Sequence, residues 1–235
     1  MADKLEMLSI VLEKRYRQKK ILNIFICIII IALSVFSLIY IQNIDKEGIL
    51  VLRWMTVDGT IFTLILTTFC LIVNHIEIIK RTELTRKAVY MTRLSSAVAE
   101  SVIMIVVLIS QLPIFNEHMH IARPDMFCMH LAIPVLVVVS FTLNDSPYGK
   151  LTKIEIFHGT AYITFYSIII ITLILSNVIK EAYIPYSFLN VRHMSLPIII
   201  ITVIFFYVTA FFLSALLSYM NRKLYWGWYK IFRSR

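Results

Sequence analysis

Apolar positions in this chain fall into long runs separated by short polar stretches, and they do not alternate as in a half-buried strand. A helix that crosses a membrane needs about 20 mostly apolar residues, because its amides must be paired internally within hydrocarbon. Six segments meet that length, near 21–42, 51–79, 97–116, 126–143, 154–179 and 196–220. The pattern predicts an all-α, polytopic six-helix bundle over 21–221. A basic amphipathic segment (1–20) precedes it and a basic, aromatic tail (222–235) follows, which leaves no room for a separate soluble domain.

Polar positions inside the apolar runs recur at helical spacing and mark faces that look inward, since a polar side chain facing lipid is costly. On the second segment Thr56, Thr60, Thr63, Thr67 and Asn74 line one face. Glu100, Met104, Val107 and Gln111 do so on the third, His158, Tyr162 and Tyr166 on the fifth, and Tyr207, Ser214, Ser218 and Asn221 on the sixth. Ser and Thr in membrane helices ordinarily bond the preceding turn or join neighbouring helices, so the stripes by themselves specify packing.

Composition agrees with the pattern: 59% of residues are hydrophobic, 13% are aromatic, and only 5 of 235 are Gly. Charge then sets the orientation, because Lys and Arg stay on the cytoplasmic side of short loops. Lys4, Lys14, Arg15, Arg17, Lys19 and Lys20 lie before the first segment. Lys80, Arg81, Arg86, Lys87, Arg93, Lys150 and Lys153 follow the second and fourth, and Arg222, Lys223, Lys230, Arg233 and Arg235 follow the last. These are eighteen of the 23 basic residues, against Lys46, Arg53, Arg123, Lys180 and Arg192 on the other side. Both termini are therefore expected in the cytoplasm of a cell-membrane protein.

That distribution accounts for the net charge of +9 through topology and attraction to anionic lipid, and nucleic acid is not an expected partner. The Leu5–Lys20 stretch, with Leu5, Leu8 and Leu12 on one face, is expected to lie in the membrane interface. It is not read as a cleavable signal, because the apolar run after it is too long and lacks a small-residue cleavage site. Cys27, Cys70 and Cys128 are scattered and odd in number, and so read as buried free thiols.

Two residues stand at matching depths. The second segment begins near Ile49 on the outer side, which puts Thr56 about 10 Å in at 1.5 Å per residue. Pro124 suits the first turn of the fourth, and His130 then lies about 9 Å in from the same side. A hydroxyl and an imidazole can thus share one level. A Thr hydroxyl is a weak nucleophile until an adjacent base takes its proton, and His suits that task near neutral pH. Arg53, Trp54 or backbone amides near the outer mouth are candidate donors to an oxyanion. Asp58 lies two residues from Thr56 and so points to another face.

Other chemistry leaves fewer traces. No Gly-x-Ser-x-Gly, P-loop or His-Glu-x-x-His motif occurs, and no cofactor is expected. A metal alternative rests on Glu117, His118 and His120, followed by Asp125, Cys128 and His130, although His residues one apart in a loop are more often simply solvated.

Three patches resemble the androgen-induced and androgen-dependent six-helix membrane hydrolases of animals and the bacterial membrane proteins related to them. They are Arg53-Trp54-Met55-Thr56, then His130 with Pro134 and the later Gly149, and the segment Tyr183-Ile184-Pro185-Tyr186-Ser187-Phe188-Leu189-Asn190. The resemblance implies a threonine hydrolase of fatty acid esters of hydroxy fatty acids, with Thr56 as nucleophile, His130 as base, and Tyr186 and Asn190 near the substrate. Asn190 and Ser140 depart from the pattern, since relatives often carry acids there. The expected partners are an amphiphilic ester and membrane lipid. The reading from another class is a channel, transporter or structural membrane protein whose Thr stripe lines a path or packs helices, though no inverted repeat supports it.

Overall fold

The computed structural model describes residues 2–46, 48–81, 84, 87–110, 122–186 and 189–230, and among them the chain is all helix and connection, with no strand. The elements are α1 (Ala2–Asp45), α2 (Met55–Lys80), α3 (Lys87–Ser110), α4 (Pro124–Phe127), α5 (Ile133–Asn144), α6 (Lys153–His158), α7 (Ala161–Leu175) and α8 (Leu196–Lys230). A 3-10 turn at Gly48–Arg53 leads into α2, and a π turn at Cys128–Ala132 joins α4 to α5. Five helical stretches are long and apolar enough to cross a membrane: Glu13–Asp45, Met55–Lys80, Lys87–Ile109, Pro124–Asn144 and Leu196–Tyr225. The chain is a multi-pass membrane protein.

The helices differ from the sequence expectation at three places, each with a local cause. α1 is one unbroken helix of 44 residues that continues from the expected N-terminal segment into the first span, because no Gly or Pro interrupts its hydrogen-bond ladder. The expected fifth segment is divided at Gly159 and Thr160 into α6 and α7. Here α6 meets α8 so closely that a Cβ at Gly159 would lie 2.2 Å from Ser214 Oγ. Ser214 Oγ donates to the Ile156 carbonyl at 2.7 Å, and Thr160 Oγ1 donates to the Phe157 carbonyl at 2.8 Å, which satisfies backbone groups that the break would leave open. The 15-residue α7 spans about 22 Å, short of the hydrocarbon thickness of about 30 Å.

The third departure is Arg93, which the sequence reading counts among exposed loop charges. α3 begins at Lys87, so Arg93 lies inside the bundle at 2% exposure. Its Nε donates to Asp145 Oδ2 at 3.0 Å and its Nη2 to Ser140 Oγ at 2.9 Å. Asn23 joins the cluster by donating to Asp145 Oδ1 at 3.2 Å and accepting from Ser140 at 2.7 Å. Asn221 donates to the Phe141 and Asp145 carbonyls, both at 2.8 Å, and accepts from Tyr90. One polar cluster thereby ties α1, α3, α5 and α8 together.

The stripe on α2 faces inward as its spacing requires: Thr56, Thr60, Thr63, Thr67 and Asn74 are all at most 6% exposed. Thr63 donates to Glu100 at 2.7 Å and meets Ser96 at 3.0 Å, which joins α2 to α3 halfway along. Glu100, Ser214, Ser218 and Asn221 are likewise buried, whereas His158 is exposed. Lys19 Nζ bonds the Tyr225 carbonyl at 3.2 Å, so the first half of α1 and the end of α8 meet at one end of the bundle. Thr56 lies towards the other end. The three cysteines are free and buried.

Candidate active site

Thr56 is the second residue of α2, at a point where the chain turns sharply out of a 3-10 turn. Two tyrosines of α7 fix that turn: Tyr166 donates to the Arg53 carbonyl at 2.7 Å and Tyr162 to the Met55 carbonyl at 3.3 Å. Trp54 packs edge-on against Tyr186, with ring centroids 5.5 Å apart, and carries no side-chain cap for the helix. The Tyr186 hydroxyl bonds the Thr56 side chain and the backbone at Thr56 and Met55. Burial pushes the Tyr186 phenol up from its ordinary pKa, so it remains a proton donor at neutral pH.

His130 is presented by the π turn. Pro134 has no N–H to give to the His130 carbonyl four residues earlier, and its ring would crowd that carbonyl in a regular α-helix. Widening the turn at Cys128–Ala132 relieves the conflict and sets the His130 side chain against α2. His130 Nε2 lies 3.1 Å from Thr56 Oγ1, and His130 Nδ1 lies 2.8 Å from the Met126 carbonyl. That carbonyl can only accept, so in the neutral ring the proton sits on Nδ1 and Nε2 offers its lone pair to the Thr56 hydroxyl. Both residues are shielded, at 6% and 5% exposure.

The group that orients the imidazole is a backbone carbonyl, which no side-chain motif could reveal. Asp125, the nearest acid in sequence, is fully buried but engaged elsewhere: Arg123 holds it through two bonds of 2.8 Å and also grips Asp45 at 3.0 and 3.2 Å. This double bridge pins the start of α4 to the end of α1 and so fixes the approach to His130. Asp58 is half-buried and lines a separate cavity with Arg53, Leu52 and Tyr166.

The remaining expected residues divide between these surroundings. Arg53 donates to the Leu50 carbonyl at 3.1 Å and lies over the Trp54 and Tyr183 rings, in the separate cavity and not beside Thr56. Asn190 is half-buried, and no hydrogen bond among the described residues joins it to Thr56 or His130. Glu117, His118 and His120 lie outside the described residues. Among the described residues no three metal-binding side chains come together.

Thr56 lines a pocket with about 830 Å³ of empty space, the open space at its mouth included. Its walls are apolar, among them Ile103, Val107, Ile163, Ile199, Val203 and Phe206, with Tyr186 and Met55 beside Thr56 at one end. A hydroxyl, the ring nitrogen that faces it and a phenolic donor thus stand at the head of an apolar pocket. Comparison with known proteins finds no matching family model, curated protein or solved structure.

Proposed function

We propose that this protein is a membrane-embedded hydrolase of acyl esters, with Thr56 as nucleophile and His130 as general base. The observation that carries the reading is the 3.1 Å contact between Thr56 Oγ1 and His130 Nε2, with the ring proton committed to the Met126 carbonyl. A buried Thr that serves only packing bonds the preceding turn, as Thr60 does to the Thr56 carbonyl at 2.8 Å. Thr56 instead meets a correctly polarised base at the end of an apolar pocket.

The chemistry follows in two halves. Thr56 Oγ1 attacks the ester carbonyl carbon while its proton passes to His130 Nε2, which gives a tetrahedral oxyanion and an imidazolium. The Tyr186 hydroxyl, which bonds the Thr56 side chain, is the donor to that oxyanion, aided by the positive end of the helix dipole. Collapse breaks the bond to the alcohol, which leaves with the proton from Nε2, and the acyl group stays on Thr56. Water then loses a proton to Nε2 and attacks the acyl carbon. The carboxylic acid departs and the Thr56 hydroxyl is restored.

The pocket supports an amphiphilic ester, since its walls suit hydrocarbon and its head suits a carbonyl. The fatty acid esters implied by the family resemblance belong to that class. In this reading α7 completes a sixth span with its flanking turns, and both termini face the cytoplasm because basic residues crowd that end. Thr56 and His130 then work near the outer leaflet of a cell membrane. The test is turnover of medium- and long-chain acyl esters by the purified protein in lipid nanodiscs. Turnover that requires both Thr56 and His130 is expected. A correctly folded protein without turnover on any such ester would favour a non-enzymatic membrane role.

A further inference from the structure

The pocket beside Thr56 has a direction and a side opening. Its wall on α7 runs from Ile163 to Ile171 and its wall on α8 from Ile199 to Tyr207, so each extends about 12 Å along its helix at 1.5 Å per residue. Thr56 and Tyr186 stand at one end, and Ile103 lies beside Gly59, one helical turn from Thr56. Ile103 leans back into a space that only glycine leaves, because a Cβ on Gly59 would lie 2.6 Å from Ile103 Cδ1.

Ile171 of α7 and Val203 of α8 both line the pocket, and Val203 is also exposed at the surface, so the pocket reaches the outside beside the α7–α8 seam. The first half of α8 shows apolar side chains to its surroundings, with Ile201 at 66% and Val203 at 42% exposure. Both helices are apolar over this stretch, and Leu196–Tyr225 is one of the candidate spans. Water gains nothing in a gap walled by hydrocarbon and set in hydrocarbon, so the occupant that suits the seam is itself a hydrocarbon chain.

We infer that one hydrocarbon chain from the bilayer enters this pocket sideways between α7 and α8, with its polar head at Thr56 and its tail along the apolar faces of both helices. Placing an ester carbonyl at Thr56 rests on the hydrolase reading, whereas occupancy by a chain does not. Gly59 contributes from behind, by letting Ile103 withdraw from the pocket.

The test uses the full chain carrying Thr56→Ala, in phosphatidylcholine nanodiscs, with a fatty acid bearing a diazirine near its methyl end. Irradiation is expected to place the label on the pocket faces of α3, α7 and α8. Val203→Trp, which fills the seam, is expected to cut that labelling by at least about tenfold, equivalent to 1.4 kcal/mol of binding. Labelling spread evenly over lipid-facing helices and untouched by Val203→Trp would overturn the side portal. Pocket labelling without ester turnover would leave the portal standing and remove the hydrolase reading, whereas turnover without pocket labelling would do the reverse.

Discussion

Neutralising Asp145 should damage this protein more than its position at a helix end suggests. Asp145 Oδ2 is 3.0 Å from Arg93 Nε, and the Arg93 side chain is 3% exposed. Asp145→Leu leaves a guanidinium in the bundle with only Ser140 Oγ, at 2.9 Å, as a remaining partner. Breaking a buried pair by removing one partner costs about 3–5 kcal/mol, because the survivor is an uncompensated charge. Replacing both partners with apolar residues of similar size is often neutral, so Arg93→Met with Asp145→Leu should recover most of the loss. Asn23 also loses an acceptor at 3.2 Å, which keeps the recovery incomplete. Unfolding free energies from SDS titration in mixed micelles would close the cycle, with a coupling energy above about 2 kcal/mol expected for directly paired groups. Additive single effects would refute the reasoning and show that water reaches Arg93 in the folded bundle.

The other predictions concern the site and its supports. Thr56→Val keeps the shape of the side chain and removes its hydroxyl, so ester turnover in nanodiscs should be lost while the protein stays folded; Thr56→Ser should retain activity. His130→Gln should lower kcat by about 10²–10⁴-fold, the usual contribution of a positioned base. Tyr166→Phe strands the Arg53 carbonyl, now bonded at 2.7 Å, and should cost about 1–3 kcal/mol of stability together with turnover, since that bond fixes the turn before Thr56. Gly159→Ala should destabilise by about 1–3 kcal/mol through the clash with Ser214, and a second change, Ser214→Gly, should restore much of it in the same SDS titration.

The sequence displays whatever side chains declare by type and spacing. Thr56 and His130 were legible because both sit at definite distances from the start of an apolar run, and the inward stripe on α2 followed from its steps of three and four. The Met126 carbonyl was not legible, because any residue four before His130 offers the same backbone acceptor. The π turn left one trace, Pro134, whose missing N–H accounts for the wider turn once His130 is seen in place. Tyr166 was visible as an inward residue of its stripe, yet its bond to the Arg53 carbonyl depends on how α7 meets α2, a long-range contact that local pattern does not encode. Arg93 was misassigned because a charge four residues before an expected span looks like a loop charge until a buried partner, Asp145, is found for it. The break at Gly159 lay inside an apolar run, and only the close approach of Ser214 explains it.

The central claim is that Thr56 becomes acylated, and covalent trapping tests it most directly. A fluorophosphonate probe added to the protein in nanodiscs, followed by peptide mass spectrometry, should place a single adduct on the Thr56 hydroxyl. The adduct should disappear in His130→Ala, where the base 3.1 Å away is lost. An adduct on another residue, or undiminished ester turnover in Thr56→Val, would contradict the account.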